Sequence, residues 1–166
     1  MVFTIPEGLH ADLNPLAWLI GTWRGKGRGE YESVPAFEFD QEVVFSHDGR
    51  PFLTYYSRSW IIDANGEVIR SGASETGFWR IKPGNILEVV ISHNTGISEG
   101  WVGRFDGPKI QLEMDRCYFA PSAKVVTGGS RLYGLVEGEL FFAYDMEAEG
   151  YVMQPHLWST LARAHE

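Results

Sequence analysis

The residues best suited to chemistry lie near the C-terminal end, in Gln154-Pro155-His156-Leu157. Proline presets the backbone torsion just before the histidine, which restricts how the imidazole approaches a partner. A neutral imidazole on a rigid element is a metal ligand; a lone histidine in a sheet is otherwise a surface or hydrogen-bonded residue. Spacing alone does not separate the two. Met146 lies upstream of His156 across the Glu149-Gly150 turn. A hairpin there would bring its soft, polarisable side chain close, with ordinary core filler as the other reading. His10, His47, His93 and His165 read as structural or solvent-facing. Among them His93, within Ser92-His93-Asn94-Thr95-Gly96, is the candidate for a pocket rim. Cys117 is the single cysteine, so no intrachain disulfide forms, and it reads as small filler rather than a nucleophile. Gly25-x-Gly27-x-Gly29 lacks dinucleotide spacing and precedes no helical pattern, which disfavours a phosphate loop. Serine, histidine and aspartate occur in no recognised nucleophile context.

The elements that must position these residues are strands. Asp48-Gly49, Asn65-Gly66, Pro83-Gly84, Asp106-Gly107, Glu137-Gly138 and Glu149-Gly150 punctuate the chain as turns. Between them lie runs rich in β-branched and aromatic residues: 37–46, 52–62, 75–82, 86–93, 98–105, 109–115, 124–135, 139–147 and 151 to about 163. With the strand opened by Gly21-Thr22-Trp23, this predicts an all-β fold, a single antiparallel up-and-down β-barrel of about ten strands. Short hairpins disfavour a Greek key, and closure removes exposed edges. Residues 1–20 differ: Asn14-Pro15-Leu16-Ala17-Trp18-Leu19-Ile20 offers a cap, a first-turn proline and an apolar run, which predicts one short helix. The whole chain, 1–166, reads as one domain.

The chain carries a net charge of −8 and 44% hydrophobic residues, with 19 glycines and 14% aromatics. That balance fits a folded β protein and disfavours nucleic acid and anionic membrane surfaces as partners. No signal-peptide pattern and no apolar stretch of spanning length is present, and with one cysteine the expected compartment is the cytoplasm.

Gly21-x-Trp23-x-Gly25-x-Gly27-x-Gly29-x-Tyr31 resembles the signature segment of the nitrobindin family. The resemblance continues through Phe37, Glu42-Val43-Val44-Phe45-Ser46-His47, Gly49-Arg50-Pro51, Ser74-Glu75-Thr76-Gly77-Phe78, Ser92-His93-Asn94-Thr95-Gly96, Ala123-Lys124, Met146 and Gln154-Pro155-His156-Leu157. It implies a compact antiparallel barrel holding one ferric haem b, with His156 as the iron ligand. It also implies isomerisation of peroxynitrite to nitrate at the open iron site, and reversible binding of nitric oxide. Met146 is then a candidate for the haem face, Lys124 the first choice near the propionates, and Ser33 and Arg131 weaker ones. A homodimer stays open. Two departures mark this chain: Glu32 stands where the family often has proline, and Ala73, after Gly72, where related sequences often carry histidine. The main alternative is a carrier of a lipid or other apolar ligand on the same barrel, with Arg58, Arg80 and Tyr133 as candidate carboxylate partners. A nitric-oxide sensor or store is the other.

Overall fold

The computed structural model describes residues 4–165. Ten strands follow one another: β1 (Gly21–Tyr31), β2 (Val34–Ser46), β3 (Phe52–Ile62), β4 (Val68–Lys82), β5 (Ile86–His93), β6 (Ile97–Asp106), β7 (Lys109–Phe119), β8 (Val126–Val136), β9 (Glu139–Ala148) and β10 (Gln154–Arg163). Each pairs antiparallel with its neighbours in sequence, and β1 pairs with β10 to close the barrel. The expected up-and-down barrel is therefore the fold. The turns fall where the glycine dipeptides put them; Gly138 and Gly150 adopt φ of 82° and 81°, which non-glycine residues rarely tolerate.

Strand β1 shows how its motif works. Positions 23, 25, 27, 29 and 31 face inward, as the burial alternation shows. Trp23 is fully buried at the closed end. The glycines leave room for aromatic rings from β2: a Cβ at Gly27 would lie 2.4 Å from the Phe39 ring, and one at Gly29 2.2 Å from that of Phe37. Tyr31, at the open end, is buried and joins β1 to β9. Its hydroxyl accepts from Ala148 N at 2.8 Å and lies 3.2 Å from both the Met146 and Ala148 carbonyls, to either of which it can donate.

The closed end is plugged by the N-terminal helix, which departs from expectation. It is a 3₁₀ helix over Ala11–Leu19, capped by His10 rather than Asn14, with Pro15 inside it. The His10 side chain accepts from Asp12 N at 3.2 Å, starting the helix before the Asn-Pro pair. Leu13, Leu16, Ala17, Trp18 and Leu19 are buried against the barrel. Arg163, at the end of β10, donates to the Ile20 and Trp18 carbonyls at 2.6 and 2.5 Å, and Trp23 Nε1 donates to Leu19 O at 2.8 Å. The orphan carbonyls at the helix end are thus satisfied by side chains of the strands it covers.

Several strand limits also differ: β2 begins at Val34 rather than 37 and β7 runs on to Phe119 rather than 115. β4 begins at Val68 rather than 75, β8 at Val126 rather than 124, and β10 at Gln154 rather than 151. Pairing decides the first: Val68 lies opposite Ile62, extending the β3–β4 ladder. Ala123 N instead closes a turn on Ala120 O, which leaves Lys124 in a loop, and Tyr151 N closes one on Ala148 O. Among the described residues no helix is long and apolar enough to cross a membrane.

Candidate functional site

A cavity of about 680 Å³ opens at the barrel end opposite the helix, inside the range of about 300–1,000 Å³ usual for small-molecule sites. Phe37, Phe39, Phe142 and Leu157 supply apolar wall, and His156 and Lys124 also line it. A polar strip faces them. Ser159 Oγ donates to Gln41 Oε1 at 2.7 Å, and Gln41 Nε2 donates to Ser57 Oγ at 3.0 Å, with Gln41 and Ser57 on the cavity wall. Gly72 and Ala73 line the wall as well, so the departure from the family pattern falls directly on the pocket.

His156 reaches the cavity through a break in strand alternation. On β10, Leu157, Ser159 and Leu161 face inward, so regular alternation would turn His156 outward. The register of β10 on β9 shifts between Pro155, opposite Asp145, and Leu157, opposite Tyr144, leaving His156 as the extra residue of a β-bulge. Bulges redirect a side chain in this way, and proline is tolerated beside one because the ladder is interrupted there.

The ring is then held in one orientation. Nδ1 lies 2.9 Å from Glu30 O. A carbonyl oxygen only accepts, so Nδ1 carries the proton and Nε2 keeps its lone pair. Nε2 has no hydrogen-bond partner among the described residues. Tyr31 and Tyr144 pack edge-on against the ring at centroid distances of 5.5 and 5.8 Å. Desolvation pulls the imidazole pKa below its ordinary value; the Glu30 hydrogen bond opposes this and the Lys124 charge adds to it. The neutral form that donates a lone pair is favoured.

The other expected site residues separate. Lys124 stands on the cavity wall in the β7–β8 loop, its pKa lowered by desolvation against the pull of Glu149 and Glu99. Ser33 lies in the exposed β1–β2 turn, off the cavity wall, and donates to Glu149 Oε2 at 2.5 Å. Met146 faces the interior opposite Gln154, but is buried in the core rather than on the cavity wall. Asn94 and Thr95 line the cavity, whereas His93 sits behind it, between Glu75 and Glu99. The Arg131 side chain has no solvent exposure and is bound to Glu75, far from the exposed position a propionate partner would need. The carboxylate partners of a carrier fare no better. Arg58, half-exposed, bonds the buried Glu42, Arg80 lies beside Glu88 in a half-exposed pair, and Tyr133 is buried under Arg131.

Sequence reasoning missed the charged cluster inside the barrel. Arg131 donates to both oxygens of Glu75 at 3.0 and 2.9 Å, Tyr55 Oη donates to Glu75 Oε1 at 2.7 Å, and His93 Nε2 bonds Glu99. Burial pushes the Glu75 carboxyl pKa up, but the charges of Arg131 and His93 and the hydrogen bonds from Arg131 and Tyr55 outweigh it, holding the value at about 2. A usable signal existed: Glu75, Glu99 and Arg131 each fall on the inward phase of a strand, two residues from Gly77, Trp101 and Tyr133. Charges on the core phase of an alternating pattern mark an interior network.

A family model described as a THAP4-like, heme-binding beta-barrel domain matches residues 12–163. A peroxynitrite isomerase of Nocardioides sp. is 49% identical over 163 residues, covering 98% of this chain and 99% of that protein. A second peroxynitrite isomerase, from Frankia casuarinae, is 46% identical, covering 95% and 88%. A ferric nitrobindin-like protein of Streptomyces avermitilis is 36% identical, covering 96% and 84%. Among solved structures, the crystal structure of Rv2717c from M. tuberculosis matches with a TM-score of 0.85 at 37% identity, over 95% of this chain and 99% of that one.

Proposed function

The chain belongs to the THAP4-like, haem-binding β-barrel family, which includes the nitrobindin-like proteins, and from that premise we propose that it binds one ferric haem b through His156 and isomerises peroxynitrite to nitrate. The observation that carries the reading is the state of His156. Its Nδ1 proton is committed to Glu30 O, and its unpartnered Nε2 belongs to a residue on the cavity wall. That is the arrangement in which a second hydrogen bond fixes the tautomer and orientation of a metal-binding imidazole. The cavity fits the group: apolar rings from Phe37, Phe39 and Phe142 for the macrocycle and Lys124 for a propionate.

When bound, ferric haem supplies a Lewis-acidic iron with a coordination position open to peroxynitrite or nitric oxide. The chain's own residues orient and shelter. His156 sets the iron's position, the Tyr31 and Tyr144 rings hold the imidazole plane, and the phenylalanine wall keeps bulk water from the reacting ligand. Gly72 and Ala73 leave one side of the pocket without an imidazole, and the polar side chains on the cavity wall there include Ser57, Ser59, Ser71, Asn94 and Thr95. Lys124 acts at the mouth through its charge. Met146 offers its backbone carbonyl to Tyr31 Oη, and Ser33 braces the β1–β2 turn through Glu149. The expected setting is the cytoplasm, without nucleic acid or membrane partners.

Rapid mixing of peroxynitrite with haem-loaded protein, against equal free ferric haem, tests the activity. Faster decay with nitrate as the product is expected. Decay no faster than with free haem overturns the enzymatic reading and leaves a haem protein that stores or senses nitric oxide.

A further inference from the structure

The barrel interior contains a carboxylate site that the chain fills with its own side chain. Arg131 on β8 grips Glu75 with two parallel bonds, at 3.0 and 2.9 Å, the geometry in which a guanidinium binds carboxylates in general. Tyr55 Oη from β3 adds a third bond at 2.7 Å, and His93 Nδ1 stands 3.5 Å from the second oxygen.

Arg131 and His93 are positioned by partners besides Glu75. The Arg131 guanidinium lies over the rings of Trp101, Tyr144 and Phe142 at 4.9, 5.0 and 5.6 Å, and Nη1 also donates to Tyr133 Oη at 3.1 Å. Its Nη2 is 3.6 Å from Glu99, which holds His93 as well. The site is thus preorganised around one carboxylate. Glu75 itself stands on the cavity wall, 12% exposed, whereas Arg131 is wholly buried and neither Arg131 nor Tyr55 lines the cavity. The carboxylate therefore separates an apolar cavity from a buried cation.

We propose that Glu75 is a built-in occupant of this carboxylate site and so bars fatty acids from the cavity. An alkyl chain would find apolar walls in Phe39, Phe142 and Leu157, but its head group would meet the charge of Glu75 with both Nη atoms of Arg131 already taken. Two carboxylates in one desolvated site repel, and the one Arg131 donor without a partner, Nε, is buried and off the cavity wall. A ligand whose carboxylates stay at the mouth, near Lys124, meets no such obstacle; that last point rests on the haem reading above, while the exclusion of fatty acids does not.

Haem-free protein tests this, so failure of the haem reading leaves the result interpretable. Dodecanoate is titrated calorimetrically into wild type, Glu75→Ala and Glu75→Ala/Arg131→Met, and thermal unfolding is followed in formate and in chloride of equal ionic strength. Glu75→Ala should bind dodecanoate roughly tenfold or more tighter than wild type, the scale of a charge-assisted hydrogen-bonded pair. The double variant should fall back to the wild-type level. Formate should raise the midpoint of Glu75→Ala and leave wild type unmoved. If Glu75→Ala is unfolded in chloride, recovery of its near-ultraviolet circular dichroism in formate supports the proposal, and no recovery overturns it. Equal dodecanoate affinity in wild type and Glu75→Ala, or binding retained in the double variant, also overturns it.

Discussion

At the level of single residues, His156 depends on groups that do not themselves touch a ligand. The Glu30 carbonyl fixes its tautomer, and Tyr31 holds both the ring and the strand that carries Glu30. Tyr31→Phe removes the acceptor of the buried Ala148 N–H and should cost about 1–3 kcal/mol of stability, the usual penalty for leaving such a group unpaired. Denaturant unfolding measures that loss, and the haem affinity of the same variant should drop because the His156 orientation loosens. His156 is legible as a candidate through the family resemblance that Gln154-Pro155-His156-Leu157 carries, since a lone histidine in a strand reads equally as a surface residue. The role of Tyr31 and the Glu30 carbonyl was not legible, because both act on residues more than a hundred positions away.

Among the elements, the bulge in β10 decides whether His156 faces the cavity. Deleting Pro155 should restore regular pairing of β10 with β9 and turn His156 outward. The expected result is far-ultraviolet circular dichroism of a β-barrel with no specific haem uptake; retained uptake would show that the bulge is not what aims the ring. In β1, Gly27→Ala would drive a Cβ against Phe39, forcing that ring into the cavity. Overpacking of this kind costs about 1–3 kcal/mol, and both the unfolding midpoint and haem affinity should fall. Strands and turns were legible because glycine dipeptides and β-branched runs act locally. The bulge was not, because it exists only in the register of one strand on another. The sequence reads Lys124 as strand for a related reason: the apolar run that follows it is continuous, and only the turn closing on Ala120 O delays the start of β8 to Val126.

For the whole molecule, the barrel is closed by backbone ladders and crossed inside by charge. Glu75 has an ordinary pKa of 4.5 and is held at about 2 in the folded state. A depressed carboxyl contributes stability that is complete above its unfolded pKa and lost as pH falls toward the folded one. Unfolding free energy should therefore decline between about pH 5 and pH 2, and Glu75→Gln, although less stable at neutral pH, should show a flatter decline. Equal slopes would mean that Glu75 does not govern acid stability. This interior network meets the cavity at Glu75, which stands on the cavity wall, and the central claim concerns the cavity. The measurement that tests it most directly is titration of haemin into wild type and His156→Ala, followed at the Soret band. The wild type is expected to give a saturable shift at one haem per chain, and the substitution to abolish it. No specific uptake by wild type, or an unchanged shift in His156→Ala, would contradict the account.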